Sequence, residues 1–141
     1  MTINELPFKL GMHYENWELV VEIEDLNTYQ EKYKYLKGDI QGIHKIKVKE
    51  IFLYFRFDFL FGVEIVFDTS SLKDIFTILE GTLNATYGLP NEKTDTKEHI
   101  CCIWINKPLK VTLLHNLHED KVYLQFTKRN FIILHGTEGI D

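Results

Sequence analysis

Serine is almost missing from this chain, with Ser70 and Ser71 the only two. Neither sits in a Gly-x-Ser-x-Gly elbow, and their place ahead of an apolar stripe marks them as helix-capping residues, not nucleophiles. Cysteine is equally scarce. Cys101 and Cys102 are adjacent, within His-Ile-Cys-Cys-Ile-Trp-Ile. In a strand, neighbouring side chains point to opposite faces, which rules out an ordinary disulfide between them. A redox or metal motif needs a spaced Cys-x-x-Cys or nearby Cys/His partners, so two small hydrophobes of a strand are expected. Gly-x-Gly-x-x-Gly and Gly-x-x-x-x-Gly-Lys loops are also missing, which removes support for phosphate cradling. No apolar run approaches the roughly 20 residues that span a bilayer. The start, Met1-Thr-Ile-Asn-Glu-Leu-Pro7, lacks the basic, apolar and small-residue regions of a leader. One cytoplasmic domain over residues 1–141 is expected, with a frayed tail at 135–141 and no membrane association.

What the chain does have is aromatic side chains: ten phenylalanines and seven tyrosines in 141 residues, 45% of which are hydrophobic. They concentrate in the run from Ile51 to Phe67, where every odd position is apolar. A period of two is the mark of strands with one buried face. A single strand of that length would span roughly 55 Å at about 3.3 Å per residue, so the run must fold back. A three-residue loop, Asp58-Phe59-Leu60, would pair Phe57 with Phe61 and keep all the odd residues on one core. Gly62 is a second candidate for a bend or bulge. The even face, with Phe52, Tyr54, Arg56 and Asp58, is too apolar to meet water. It calls for cover by the N-terminal segment, a second subunit or a partner.

Elsewhere the pattern is plainer. Leu6, Phe8 and Leu10 alternate before a turn at Gly11-Met12-His13. Trp17, Leu19, Val21 and Ile23 alternate with Glu18, Val20, Glu22 and Glu24, which favours a strand within 13–26 over the competing helix. Residues 27–42 read as an irregular connection, and strand character returns from Ile43 to Lys49. Helix 71–87 is predicted from the stripe Leu72, Ile75, Phe76, Leu79 and Leu83, with Ser71 and Asp74 resembling a capping box. Gly88 and Pro90 end it. Gly81, inside it, suggests close packing on the sheet. A charged loop spans 91–98, three strands follow near 99–105, 109–115 and 121–127, and Phe131–Leu134 reads as an edge strand. The expected fold is α+β: a mainly antiparallel β-sheet, made of the hairpin and a C-terminal three-strand meander, with one long helix packed on one face.

Chemistry is thinly signalled. His115 and His118, with His99 in reach, are weak metal candidates, because their spacing straddles a predicted turn. Paired catalytic carboxylates are defined by distance in space, which a list of acids does not supply. Neither catalysis nor a cofactor is expected. Charge is more informative. The net charge is −5, and Glu15, Glu18, Glu22, Glu24 and Asp25 form an acidic stretch followed by Lys32, Lys34, Lys37, Lys45, Lys47 and Lys49. Either the two stretches lie side by side and neutralise each other, or Glu18, Glu22 and Glu24 form an acidic ridge that steers a basic protein. The acidic balance argues against nucleic acid.

The opening Leu6-Pro-Phe-Lys-Leu-Gly-Met12, followed by Tyr14-Glu-Asn-Trp-Glu18, resembles the start of small bacterial immunity proteins paired with polymorphic or contact-delivered toxins. The resemblance covers about the first half of the chain, and its motifs are structural. It implies a non-catalytic protein that binds and blocks a cognate toxin. Glu18, Glu22, Glu24, Phe52, Tyr54 and Arg56 are the expected partner contacts on the residue reading. A small ligand-binding or regulatory module similar to β-lactamase-inhibitor-like domains is the alternative, from Leu10-Gly-Met12 and Tyr87-Gly-Leu-Pro90. An aromatic-rich sheet with an open edge leaves a homodimer open as well.

Overall fold

The alternation of residues 46–67 builds one long antiparallel hairpin, and the rest of the sheet grows from its two sides. The computed structural model describes residues 1–26, 30–69 and 74–133 (Leu26 by its backbone alone). In chain order the strands are β1 (Val21–Leu26), β2 (Glu31–Tyr35), β3 (Gly42–Ile43), β4 (Ile46–Arg56) and β5 (Phe59–Phe67), then β6 (Glu92–Asp95), β7 (His99–Asn106), β8 (Leu109–Asn116) and β9 (Lys121–Lys128). The helix α1 (Ile75–Tyr87) lies between β5 and β6. The strands form an antiparallel sheet in the order β1-β2-β4-β5-β9-β8-β7-β6, with β3 paired to the start of β4. This is the expected α+β fold, with its hairpin, its C-terminal meander and one helix packed against one face.

The hairpin departs from expectation at its tip. Its loop has two residues, Phe57 and Asp58, and Arg56 pairs with Phe59. Both loop residues have positive φ, 52° and 66°, as a two-residue turn matched to the sheet twist requires. A two-residue loop should reverse the facing of β5, and a bulge corrects it: Tyr54 pairs with Gly62 while Phe55 pairs with Leu60. Phe61 is the extra residue, and it turns to the opposite face. The odd residues therefore divide. Ile51, Leu53, Phe55, Val63, Ile65 and Phe67 join the main core, Phe61 leaves it, and Phe57 and Phe59 face solvent.

The core under α1 follows from the meander's alternation. Val111, Leu113, Val122 and Leu124 face inward with Cys102 and Trp104, and α1 lays Ile75, Phe76, Leu79 and Leu83 over them. Each such side chain contributes about 1.5–3 kcal/mol through burial. The Trp104 indole N–H donates to the Gly88 carbonyl at 2.9 Å, fixing the end of the helix to the sheet. Gly88 has φ 85° and ψ −166°, a conformation open essentially to glycine alone. The helix begins later than predicted. Asp74, with φ 61°, directly precedes it and makes no side-chain capping bond; Ser70, Ser71 and Leu72 lie outside the described residues. Gly81 does not serve close packing among the described residues, since a Cβ there would meet none of them within 4 Å.

Other expectations also change. Only Val21–Leu26 of the stretch 13–26 is strand, and it is preceded by 3-10 turns at Tyr14–Asn16 and Glu18–Val20. Trp17 is buried while Leu19 and Ile23 are exposed, so the proposed inward face breaks where the backbone leaves the strand. The irregular connection 27–42 contains β2, which alternation of lysine with tyrosine disguised as polar loop. Four residues of the charged loop 91–98 form the edge strand β6. Leu6, Phe8 and Leu10 do pack on the core, but outside the sheet.

Part of the second face of the sheet, over β4, β5 and β9, is covered by the chain itself. Phe52 and Tyr54 cluster with Phe61, Val66 and Ile133, and Phe131 and Tyr123 pack against them. The expected edge strand is thus a strap over its described part, Phe131–Ile133; Leu134 and the tail 135–141 lie outside the described residues. The strap crosses β5 at Gly62, where a Cβ would stand 3.4 Å from Ile133 and Thr127, within ordinary contact distance.

Candidate functional site

The tip of the long hairpin concentrates features that the core does not explain. Phe57 is 80% exposed and Phe59 is 50% exposed. They flank Asp58, also exposed, on a turn that the N-terminal segment braces from the side. Tyr14 N–H donates to the Asp58 carbonyl at 2.7 Å, Leu60 N–H to the Met12 carbonyl at 2.8 Å and Gly11 N–H to the Leu60 carbonyl at 2.7 Å. His13 pairs with Phe59 as an isolated bridge, and its ring meets Phe59 edge-on at 5.4 Å. Residues 11–14 thus occupy the position that β9 holds further along β5. The tip is rigidly mounted.

Arg56 sits at the base of this tip. Its guanidinium lies 5.6 Å from the centre of Phe57 and 5.4 Å from that of Phe131. Its Nε is buried, with no hydrogen-bond partner among the described residues. The result is a cation against two rings, of which Phe57 is exposed, with the exposed Phe59 ring close by, residue types that can anchor a protein interface.

The predicted contact residues fare unequally. Phe52 and Tyr54 are interior, 8% and 0% exposed, so they are corrected from surface contacts to core. The Lys32 ammonium lies 4.1 Å from the centre of the Phe52 ring, and the Tyr54 hydroxyl donates to buried Glu64. Glu18, Glu22 and Glu24 are exposed, but Glu18 lies in a 3-10 turn and only Glu22 and Glu24 are on β1. The acidic and lysine-rich stretches do lie side by side: Glu22 is opposite Lys34 and Asp25 opposite Lys32. Lys32 is in turn opposite Tyr54 on β4, so Glu24 and Asp25 end near the hairpin tip, two strands or about 10 Å across. Glu18 falls at the far end.

His115 and His118 do not converge. His115 Nε2 is 2.9 Å from Asp120 Oδ1, with its ring stacked on Phe76, in a groove of about 390 Å³ at the start of α1. His118 faces a separate groove with His99. Among the described residues no group of three or more His, Cys, Asp or Glu could hold a metal ion. The cysteines face opposite ways, as the strand predicts. Cys102 donates to Glu80 at 3.2 Å beneath α1, and burial, then the Glu80 carboxylate, pushes its thiol up to about 12.

Sequence reasoning missed Phe57, Phe59 and Phe131. The available signal was Asp58 at the middle of the run, which suits a two-residue turn; the bulge at Phe61 hid it by restoring the parity. No protein-family model matches the chain, and no curated sequence or solved structure matches it either.

Proposed function

We propose that this chain is a non-catalytic protein-binding module that neutralises a cognate toxin by direct contact, the role implied by its resemblance to immunity proteins. One observation carries the reading: Phe57 holds a left-handed backbone while its ring stays in solvent. Asparagine or glycine would fit the same turn without strain. A bulky residue there costs about 1–2 kcal/mol, and the exposed cation-π contact with Arg56 offsets only about 0.5–1 kcal/mol. Strain kept in a braced turn points to a use for the ring. Phe57 and Phe59 enter an apolar pocket of the partner, Arg56 meets an acceptor at its rim, and Glu22, Glu24 and Asp25 steer a basic surface into place.

Co-expression with a candidate toxin encoded beside it tests the reading. Protected cells and a complex that co-elutes in gel filtration are expected. A toxin that still kills, with no complex surviving the column, removes the immunity role. Phe57→Ala should weaken the complex by about 2 kcal/mol, chiefly through faster dissociation. Reversing Glu22, Glu24 and Asp25 to lysine should instead slow association and flatten its salt dependence.

A further inference from the structure

A second feature is independent of the hairpin tip. Between the N-terminal segment and the end of α1 runs a groove of about 250 Å³. Val63 is its floor, and Leu6, Phe8, Tyr87, Leu109 and Phe126 are its walls. These walls come from four separate parts of the chain, and each wall residue is only half-buried against the core. Lys9 and Asn4, both exposed, stand on the rim.

We infer that this groove binds a small amphipathic monocarboxylate, its apolar chain against Val63 and Phe126 and its carboxylate at Lys9. An apolar cleft with a few polar groups gathered on one side is the usual form of a small-molecule site. Charge selects the class of ligand. Lys9 is the one charged residue among those lining the groove, and among the described residues its ammonium forms no ion pair. Asn4, exposed and also lining the groove, has an amide able to donate. The Tyr87 hydroxyl, whose pKa burial pushes up, remains a neutral donor at physiological pH. A doubly charged anion would leave half its charge unmatched over an apolar floor, and a neutral chain would leave Lys9 unused. The roof is preformed: Leu6 N–H donates to the Ile3 carbonyl at one end and Gly11 N–H to Leu60 at the other. Between them Pro7 has no N–H to satisfy.

Titration with octanoate, octanol and acetate, followed through the methyl resonances of Leu6, Val63 and Leu109, tests the site. Octanoate should shift these methyls saturably, about threefold to fivefold more tightly than octanol, as one exposed ion pair allows. Acetate should leave them unmoved. Lys9→Gln should reduce octanoate to the affinity of octanol, and Leu109→Trp should fill the groove and abolish both. No saturable shift with octanoate, an acetate response equal to it, or an unchanged preference in Lys9→Gln overturns the inference. So does a folded Leu109→Trp that still binds. Should Leu109→Trp fail to fold, the exposed Lys9→Gln still decides.

Discussion

Glu64 is 1% exposed, and its side chain is hydrogen-bonded inside the sheet. Tyr54 Oη donates to one oxygen at 3.3 Å and Gln125 Nε2 to the other at 2.8 Å. A buried polar group is tolerated in proportion to its hydrogen bonds. Tyr54→Phe should therefore lower stability by about 1–3 kcal/mol in urea unfolding. Tyr33→Phe, which removes a part-buried hydroxyl bonded to Glu31, should cost about 0.5 kcal/mol. The cysteines allow a second comparison. Burial raises the pKa of Cys101, and that of Cys102 stands at about 12. Since only thiolate reacts, native protein at about pH 8 should alkylate slowly at Cys101 and not at Cys102. Both should react once unfolded, a difference that mass spectrometry of the alkylated peptides reads directly.

Within α1, Gly81 is an exposed interior residue with open space where a Cβ would stand. Gly81→Ala should add about 0.5–1 kcal/mol, visible as a higher melting temperature. The hairpin offers a parallel case. The double change Phe57→Asn with Asp58→Gly places the preferred residues at both left-handed positions, and should raise stability by about 1 kcal/mol while removing partner affinity. These elements also show what was legible in the chain. Alternation in Val111–Leu113 and Val122–Phe126 placed the meander, because each strand has one dry face. The helical stripe likewise identified Ile75, Phe76, Leu79 and Leu83 as core. Three things escaped, each for a physical reason. β2 alternates Lys32 and Lys34 with Tyr33 and Tyr35, since one of its faces is only partly covered. The bulge at Phe61 depends on twist across two strands, which no local pattern records. The strap packs Ile133 over Gly62, a contact between residues remote in sequence. At the candidate site, Arg56 was found and the exposed rings were not, because an apolar residue in an apolar run reads as core.

Across the whole molecule, both outer strands are polar: β1 carries Glu22, Glu24 and Asp25, and β6 reads Glu-Lys-Thr-Asp. Such edges discourage pairing with other chains. β6 is tied back to α1 by Lys93 Nζ, 2.8 Å from Glu80 Oε2. That contact, with help from Cys102, holds the Glu80 carboxyl below its ordinary 4.5. A carboxyl whose folded pKa is depressed stabilises the fold above its unfolded pKa, and the contribution fades as pH falls through the folded value. Glu80→Gln should thus melt below the parent at about pH 7, with the gap closing as pH drops past 4.5. Half-exposure of Lys93 limits the effect to about 1 kcal/mol or less. The junction of β5 with β9 has a consequence in time. It joins Glu64 to Gln125, 61 residues apart in the chain, whereas β4–β5, β7–β8 and β8–β9 join neighbours. Local hairpins close within microseconds, but this seam waits for two preassembled halves to meet. Until then β5 presents Val63, Ile65 and Phe67 along an unpaired edge. The polar outer strands protect the finished sheet, but the hazard of misassembly falls earlier, on a strand that ends up at its centre.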